Sequence, residues 1–351
     1  MEKKEVVVGT IRIRSKEFVP VEKTARSWKR SSFDMSFALP VIKLFRAHDN
    51  LAVLVDKKNP QFLKGQLSAD GIVQGARIDM LPNGEVLDKA FSLFSPHLTI
   101  HDESSHDHWD VLYQNPNGEL AYVYTQRKRE ENKKAKYKKV DEFKKYFPKL
   151  TKNVQKALED DSDQFALPMF TLLKTYMRIG NEIYFRAHGH KGLSTLQKKD
   201  VNIDKDSATF EFLAKDGVPM SITETFPREY IERMKMLLGE LKRDSFLFTT
   251  PKTGHTLSDV HFKHGFYKYC GKEFYPHIVR SFFATEKVKK FLSSKKKPTK
   301  EEARQLCIEI AHKLGHRKFD KKKGEWTESY AVTLNNYIQP DLAKKMKTLM
   351  K

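Results

Sequence analysis

Five residues spread over the second half of the chain carry side chains able to do chemistry together: Arg178, Lys215, Arg280, His316 and Tyr337. Tyr337 stands in AVTLNNYIQP, after a polar Asn335-Asn336 pair and before an Ile-Gln-Pro exit, close to Lys351. A phenol titrates near pH ~10, so it is a poor nucleophile unless neighbouring cations stabilise both the phenolate and the charge on its target. Two guanidiniums, an ammonium and an imidazole are groups that could supply that stabilisation.

Their local settings predict how each is held. In FALPMFTLLKTYMRIGNE, Pro168 can start a helix whose apolar positions Phe170, Leu173, Tyr176 and Met177 face a core, and Gly180 can end it. That places Arg178 in the last helical turn. VNIDKDSATFEFLAKDGVPMSIT reads as three short strands, and Asp216-Gly217 is a hairpin-turn signal that puts Lys215 at a tip, able to reach into a groove. Helices are expected from Pro227 to about Lys242, from Leu257 to about Tyr269, and from Pro276 to about Leu292, the last carrying Arg280 in HIVRSFFAT. Thr299 and Glu302 form a capping box. Ala303, Leu306, Cys307, Ile310, Ala311 and Leu314 then make an apolar stripe, and Gly315 ends that helix and presents His316.

The fold class expected is α+β: a strand-rich amino-terminal domain over residues 1–125, then a mainly helical domain over 126–351 with a small three-stranded sheet. The first part reads as VVVGTIRIR, LAVLVD, WDVLY and LAYVY strands separated by turns such as Leu81-Pro82-Asn83-Gly84. A composition change at Gln126 marks the boundary. There QRKREENKKAKYKKVDEFKKYF carries Arg127, Lys128, Arg129, Lys133, Lys134 and Lys136, which at helical spacing form a cationic surface suited to phosphates. The chain has 351 residues, with 65 Lys and Arg against 45 Asp and Glu, a net charge of +20 that favours a polyanionic partner. Two cysteines give no disulfide framework and fit a reducing compartment. No apolar run reaches the roughly 18 residues of a membrane span, so no membrane is expected. The His97, His101, His106 and His108 loop matches no tight zinc spacing, and no metal is assigned to it. No internal repeat and no phosphate-cradling GxxxxGK[ST] sequence occurs, which gives no sign of nucleotide hydrolysis.

The motifs around Arg178 (MRIGNE), Lys215 (FEFLAKDG), Arg280 (HIVRSFFAT) and His316 (KLGH), followed by a tyrosine, resemble in order and spacing the type IB DNA topoisomerases, relatives of the tyrosine recombinases. The resemblance covers roughly Trp109 to the end. It implies cleavage of one DNA strand through a 3′-phosphotyrosyl link, rotation and resealing, with no ATP, metal or other cofactor. Arg178, Arg280 and His316 would stabilise the phosphorane-like transition state, Lys215 would protonate the leaving 5′ oxygen, and Tyr337 would attack. The partner implied is double-stranded DNA, encircled by a monomer, with an intracellular location: cytoplasm or nucleoid, or nucleus or viral factory if the source is eukaryotic or viral. A tyrosine recombinase or telomere resolvase, or a catalytically inactive DNA-binding relative, would share the same residue types. The chain departs from the pattern in the twenty residues between His316 and Tyr337, which include RKFDKKKGEW, expected as a solvated loop. Compact members have far fewer there, and larger eukaryotic members carry a long linker. ESYAVTLNNYIQP offers a second tyrosine, Tyr330; the longer match of AVTLNNYIQP favours Tyr337.

Overall fold

The computed structural model describes residues 6–101, 109–294 and 297–351, so His106, His108, and Lys295 and Lys296 of the basic stretch before Thr299 lie outside the described residues. The chain is mixed α+β, as expected, and divides into two compact units, residues 1–135 and 136–351.

The first unit contains β1 (Ile11–Ile13), β2 (Pro20–Lys23), β3 (Trp28–Arg30), α1 (Ala38–Ala47), β4 (Gln66–Leu67), β5 (Val73–Gln74), β6 (Ile78–Met80), β7 (Val86–Phe91), β8 (Thr99–Ile100), β9 (Val111–Gln114) and β10 (Leu120–Val123). An antiparallel sheet in the order β3-β2-β1-β4-β5 stands beside a three-stranded sheet, β10-β9-β8, and the β6-β7 pair. The core joins Ile13, Phe45, Leu54, Phe91 and Val111. Two details differ from the sequence expectation. Ala38, Val41, Ile42 and Phe45 are buried at helical spacing in α1, and LAVLVD begins as a 3-10 turn over Leu51–Leu54 rather than a strand. A short apolar run looks the same in either state, and here the core beneath it decides.

The helix α2 (Gln126–Ala157) starts in the first unit and continues into the second. The second unit then adds α3 (Ala166–Thr175), α4 (Glu182–His188), β11 (Val201–Asp204), β12 (Ser207–Leu213), β13 (Pro219–Thr225), α5 (Arg228–Glu240), α6 (Asp259–Cys270), α7 (Ile278–Ser294), α8 (Lys300–Lys313), β14 (Arg317–Asp320), β15 (Glu325–Glu328), α9 (Ala331–Asn336) and α10 (Pro340–Leu349). The antiparallel meander β11-β12-β13 matches the three expected strands. RKFDKKKGEW is a β14-β15 hairpin instead of a loop, its turn closed by Gly324 at φ 70°, a left-handed value that glycine adopts without steric cost.

One face of α2, with Tyr137, Val140, Phe143, Leu150 and Val154, enters the helical core. Phe143 is its hub: the rings of Phe147, Phe266, Phe274 and Phe282 lie with centroids 5.0 to 5.9 Å away, mostly edge to face. A second cluster joins α7, α8, α9 and α10 through Val288, Cys307, Ile310, Leu334, Ile338 and Met346. Phe143→Ala removes a ring that four others pack on and should lower stability by about 3–5 kcal/mol. Urea unfolding followed by circular dichroism measures it.

Candidate active site

Arg280 sits in the first turn of α7 and is 2% exposed. Its Nη1 donates to the Tyr176 carbonyl at 2.6 Å and its Nη2 to the Leu314 carbonyl at 2.6 Å. Tyr176 and Leu314 are the carboxyl-terminal caps of α3 and α8. The guanidinium therefore collects carbonyls at the negative ends of two helices. Burial pushes its pKa down to about 10, and repulsion from Arg178 adds to this, so it stays protonated at neutral pH. Among the described residues it forms no ion pair, and its buried Nε has no hydrogen-bond partner.

Arg178 was expected in the last turn of a helix begun by Pro168 and ended by Gly180. Instead α3 starts at Ala166 and stops at Thr175, and Tyr176 takes a left-handed conformation with φ 57°. A left-handed tyrosine is costly. Its carbonyl bonds to Arg280 and its ring stacks on Phe283, centroids 4.1 Å apart, which offset the cost. Arg178 then lies in an irregular segment held from outside: its carbonyl accepts from the Leu193 N–H at 2.7 Å, and the Gly180 carbonyl accepts from Ser194 Oγ at 3.1 Å. A Cβ on Gly192 would stand 2.6 Å from the Arg178 carbonyl oxygen, so only glycine permits this approach. The Arg178 guanidinium donates from Nη2 to the Tyr337 hydroxyl at 2.9 Å.

His316 follows α8 in a Schellman arrangement. The Gly315 N–H bonds to the His312 carbonyl at 3.0 Å, the His316 N–H to the Ala311 carbonyl at 2.8 Å, and Gly315 has φ 68°. The imidazole stands with Nδ1 2.7 Å from Thr333 Oγ1 and Nε2 3.3 Å from Arg280 Nη2. Arginine can only donate, so Nε2 accepts and Nδ1 carries the hydrogen. Burial first, then the charges of Arg280 and Arg178, pushes the pKa of His316 down to about 3.

Tyr337 ends α9 and is 4% exposed. Its ring centroid lies 4.6 Å from that of His316, 5.2 Å from that of His277, and 5.3 Å from Arg280 Cζ. Tyr330 caps the start of α9, without a hydrogen bond or ring contact to Arg178, Arg280 or His316 among the described residues. Lys215 stands in the turn between β12 and β13, with Asp216 at φ 63° and Gly217 at φ 75°, as the sequence signal implied. It is exposed, forms no ion pair among the described residues, and lines a cleft of about 150 Å³ together with Arg178, Arg280 and His316.

Two residues were missed. His277 lies one turn before Arg280 inside HIVRSFFAT, and its proximity to Tyr337 is a tertiary fact that only the Arg280 spacing could have hinted at. Burial, with Arg280 and Arg178 next, pushes its pKa down to about 2. Lys313, in the last turn of α8, lines the same cleft and pairs with Glu224 of β13; burial lowers its pKa to about 8. The basic tract divides. Arg127 pairs with Glu85, Lys128 with Asp110 and Arg129 with Asp88, whereas Lys133 and Lys134 form no ion pair among the described residues. Lys136 points to the Asn336 carbonyl, 2.6 Å away. No group of His, Cys, Asp and Glu able to hold a metal occurs among the described residues, and no helix there is long and apolar enough to cross a membrane.

A phenol bonded to one guanidinium, with a second guanidinium and an imidazole beside it and no carboxylate partner for either guanidinium among the described residues, can accept a phosphodiester. The fold and this cluster define a cationic site around a phenol, of a kind suited to a phosphate group. The family described as eukaryotic DNA topoisomerase I, catalytic core, matches residues 125–348, and the chain belongs to that family, the type IB topoisomerases. It is similar to DNA topoisomerase 1B of Acanthamoeba polyphaga mimivirus, 30% identical over 131 residues, which are 34% of this chain and 37% of that protein. The match thus spans well under half of the relative's length. Among solved structures, the XerH site-specific recombinase bound to difH substrate aligns in its pre-cleavage complex at TM-score 0.32 and 18% identity, covering 49% of this chain and 50% of that one. The post-cleavage complex on palindromic difH aligns at TM-score 0.32 and 20% identity, covering 48% of each chain.

The half-buried His277 and the buried His316 are neutral in the folded state, with pKa values below the unfolded value of ~6.5. The unfolded chain then binds more protons below that pH, so stability is fully present above about pH 6.5 and is lost as pH falls toward the folded values. Each imidazole should contribute a slope of at most about 1.4 kcal/mol per pH unit. Urea titrations between about pH 7 and 5 should show this loss, and His316→Asn should flatten it. Gly192→Ala should displace the Arg178 segment and lower stability by about 1–3 kcal/mol, the scale of overpacking, measured by urea unfolding.

Proposed function

We propose that this chain relaxes supercoiled DNA by transient single-strand cleavage, with Tyr337 as nucleophile, Arg178, Arg280 and His316 around the non-bridging oxygens, and Lys215 as general acid. The observation that carries the reading is the 2.9 Å hydrogen bond to the Tyr337 hydroxyl from Arg178, which with Arg280 lines a cleft where neither guanidinium has a carboxylate partner among the described residues. In this reading the phenol oxygen forms a bond to phosphorus as the bond to the 5′ oxygen breaks. Tyr337 gives its proton to solvent water, and the leaving oxygen takes one from Lys215. The phosphotyrosyl link retains the bond free energy, so reversal reseals the strand without ATP or metal. His316 must present an N–H to a phosphate oxygen, yet its Nε2 accepts from Arg280 in the free chain. Arrival of the phosphate therefore entails proton uptake or a tautomer exchange with Thr333. The chain acts as a monomer on double-stranded DNA inside the cell, the first unit serving as a clamp and Lys133 and Lys134 contacting phosphates.

Incubation with supercoiled plasmid in EDTA without ATP should relax both positive and negative supercoils, and Tyr337→Phe should abolish relaxation and adduct while keeping DNA binding. A strict requirement for magnesium or ATP would contradict the proposal, and adduct mapped to Tyr330 would move the nucleophile. Lys215→Ala should slow cleavage of an ordinary phosphodiester much more than cleavage of one with sulfur in place of the 5′ oxygen, a leaving group that needs no proton. Equal slowing on the two substrates would remove Lys215 from the acid role.

A further inference from the structure

Tyr337 lies at the end of a six-residue helix, where backbone carbonyls lack partners within the helix. Three consecutive carbonyls around it are each met by a side chain from elsewhere. Lys136 Nζ donates to the Asn336 carbonyl at 2.6 Å, Thr285 Oγ1 to the Tyr337 carbonyl at 3.4 Å, and Tyr137 Oη to the Ile338 carbonyl at 2.7 Å. The Tyr137 hydroxyl also lies 3.3 Å from the Asn336 carbonyl, so it spans the nucleophile position from one side to the other. The Lys136 ammonium lies 5.2 Å from the Tyr337 ring centroid, and its charge contributes to keeping His277 neutral.

We propose that Lys136 and Tyr137, adjacent residues of α2, form a positioning clamp for the Tyr337 phenol, rather than Lys136 serving as one more phosphate contact of the basic tract. The inference rests on Tyr337 being the nucleophile. Tyr137 is 5% exposed and buried against the core that Phe143 organises, so its hydroxyl is a fixed point. Fixing the carbonyls at 336 and 338 removes freedom from the backbone that carries the phenol. An attacking oxygen must reach phosphorus in line with the leaving oxygen, and small displacements are costly. Lys136 adds a cation beside a ring that gains negative charge as it loses its proton. That ring is faced by Arg178 from the segment after α3, His277 and Arg280 from α7 and the residue before it, His316 after α8, and Tyr137 from α2.

The test separates binding from chemistry. Single-turnover adduct formation is measured at saturating duplex oligonucleotide, alongside DNA affinity, for wild type, Tyr137→Phe, Lys136→Met and Lys136→Arg. Melting temperatures report whether each variant folds. Tyr137→Phe keeps the ring and its packing and should slow cleavage at saturating DNA by about tenfold or more with affinity little changed. Lys136→Met should slow it similarly, and Lys136→Arg should recover most of the rate. If Lys136→Met weakens DNA binding while cleavage at saturating DNA is unchanged, Lys136 is a phosphate contact and the clamp is wrong. Unchanged cleavage in a folded Tyr137→Phe would overturn it as well. A wild-type chain that forms no adduct would overturn the nucleophile reading and the clamp with it, whereas wild-type adduct with unaffected variants sinks the clamp alone.

Discussion

The interaction on which the second unit depends is the burial of Arg280 between two helix ends. Moving a guanidinium out of water costs several kcal/mol unless its donors are satisfied. A carboxylate would be the usual partner. Here the Tyr176 and Leu314 carbonyls take that place, each orphaned at the end of a helix and carrying the partial negative charge of the helix dipole. A full negative charge would neutralise the cation before any ligand arrived; two partial charges hold it and leave a positive field. The geometry that follows is demanding. Helix α3 must break at Tyr176 in a left-handed turn, and α8 must end at Leu314 so that Gly315 can reverse the chain.

From that centre the remaining groups are linked by short steps. Gly315 cannot carry a Cβ without meeting Met220 Sδ at 2.6 Å, and its turn sets His316 beside Arg280. Thr333 holds the imidazole through its hydroxyl and accepts the Tyr337 N–H through its carbonyl at 3.0 Å, so one residue of α9 ties both rings. The low pKa values of His277 and His316 have a common origin with the position of Arg280: each imidazole is shielded from water next to fixed cations, which makes its own protonation unfavourable. A bound dianion-like transition state would reverse that balance, because it would supply the missing negative charge.

Local signals were legible where local chemistry decides. The Asp216-Gly217 turn, the Thr299 and Glu302 capping box and Gly315 each require particular residues for backbone reasons, and each occurs as read. The setting of Arg178 was not legible, because the segment after α3 is shaped by Gly192, Leu193 and Ser194, residues whose approach is tertiary. The α1 helix was missed because a short apolar run fits either period. The β14-β15 hairpin was hidden by its charges: Lys321, Lys322 and Lys323 occupy the turn, while Phe319 faces Trp326 across the strands, ring centroids 5.3 Å apart. His277 and Lys313 carry no motif of their own and become visible only in the tertiary structure, His277 beside the Tyr337 ring and Lys313 in the cleft lining.

The same reasoning sorts the many cations of a chain whose net charge is +20. Composition cannot distinguish a lysine that holds the fold from one left for a ligand, but partners can. Lys191 lines the same cleft as Lys215, yet its ammonium is buried within 2.8 Å of both Asp200 carboxylate oxygens, and its charge is already matched. Arg127, Lys128 and Arg129 are likewise matched by Glu85, Asp110 and Asp88, although the sequence placed them in one continuous basic tract. Arg178, Arg280 and Lys215 have no such match among the described residues, and all three line one cleft beside the Tyr337 phenol. Leaving buried charge unneutralised opposes folding, and at Arg280 carbonyls rather than carboxylates are the supports, which leaves a positive field there. That uncompensated field, more than the total charge, is the physical reason this cleft favours an anion.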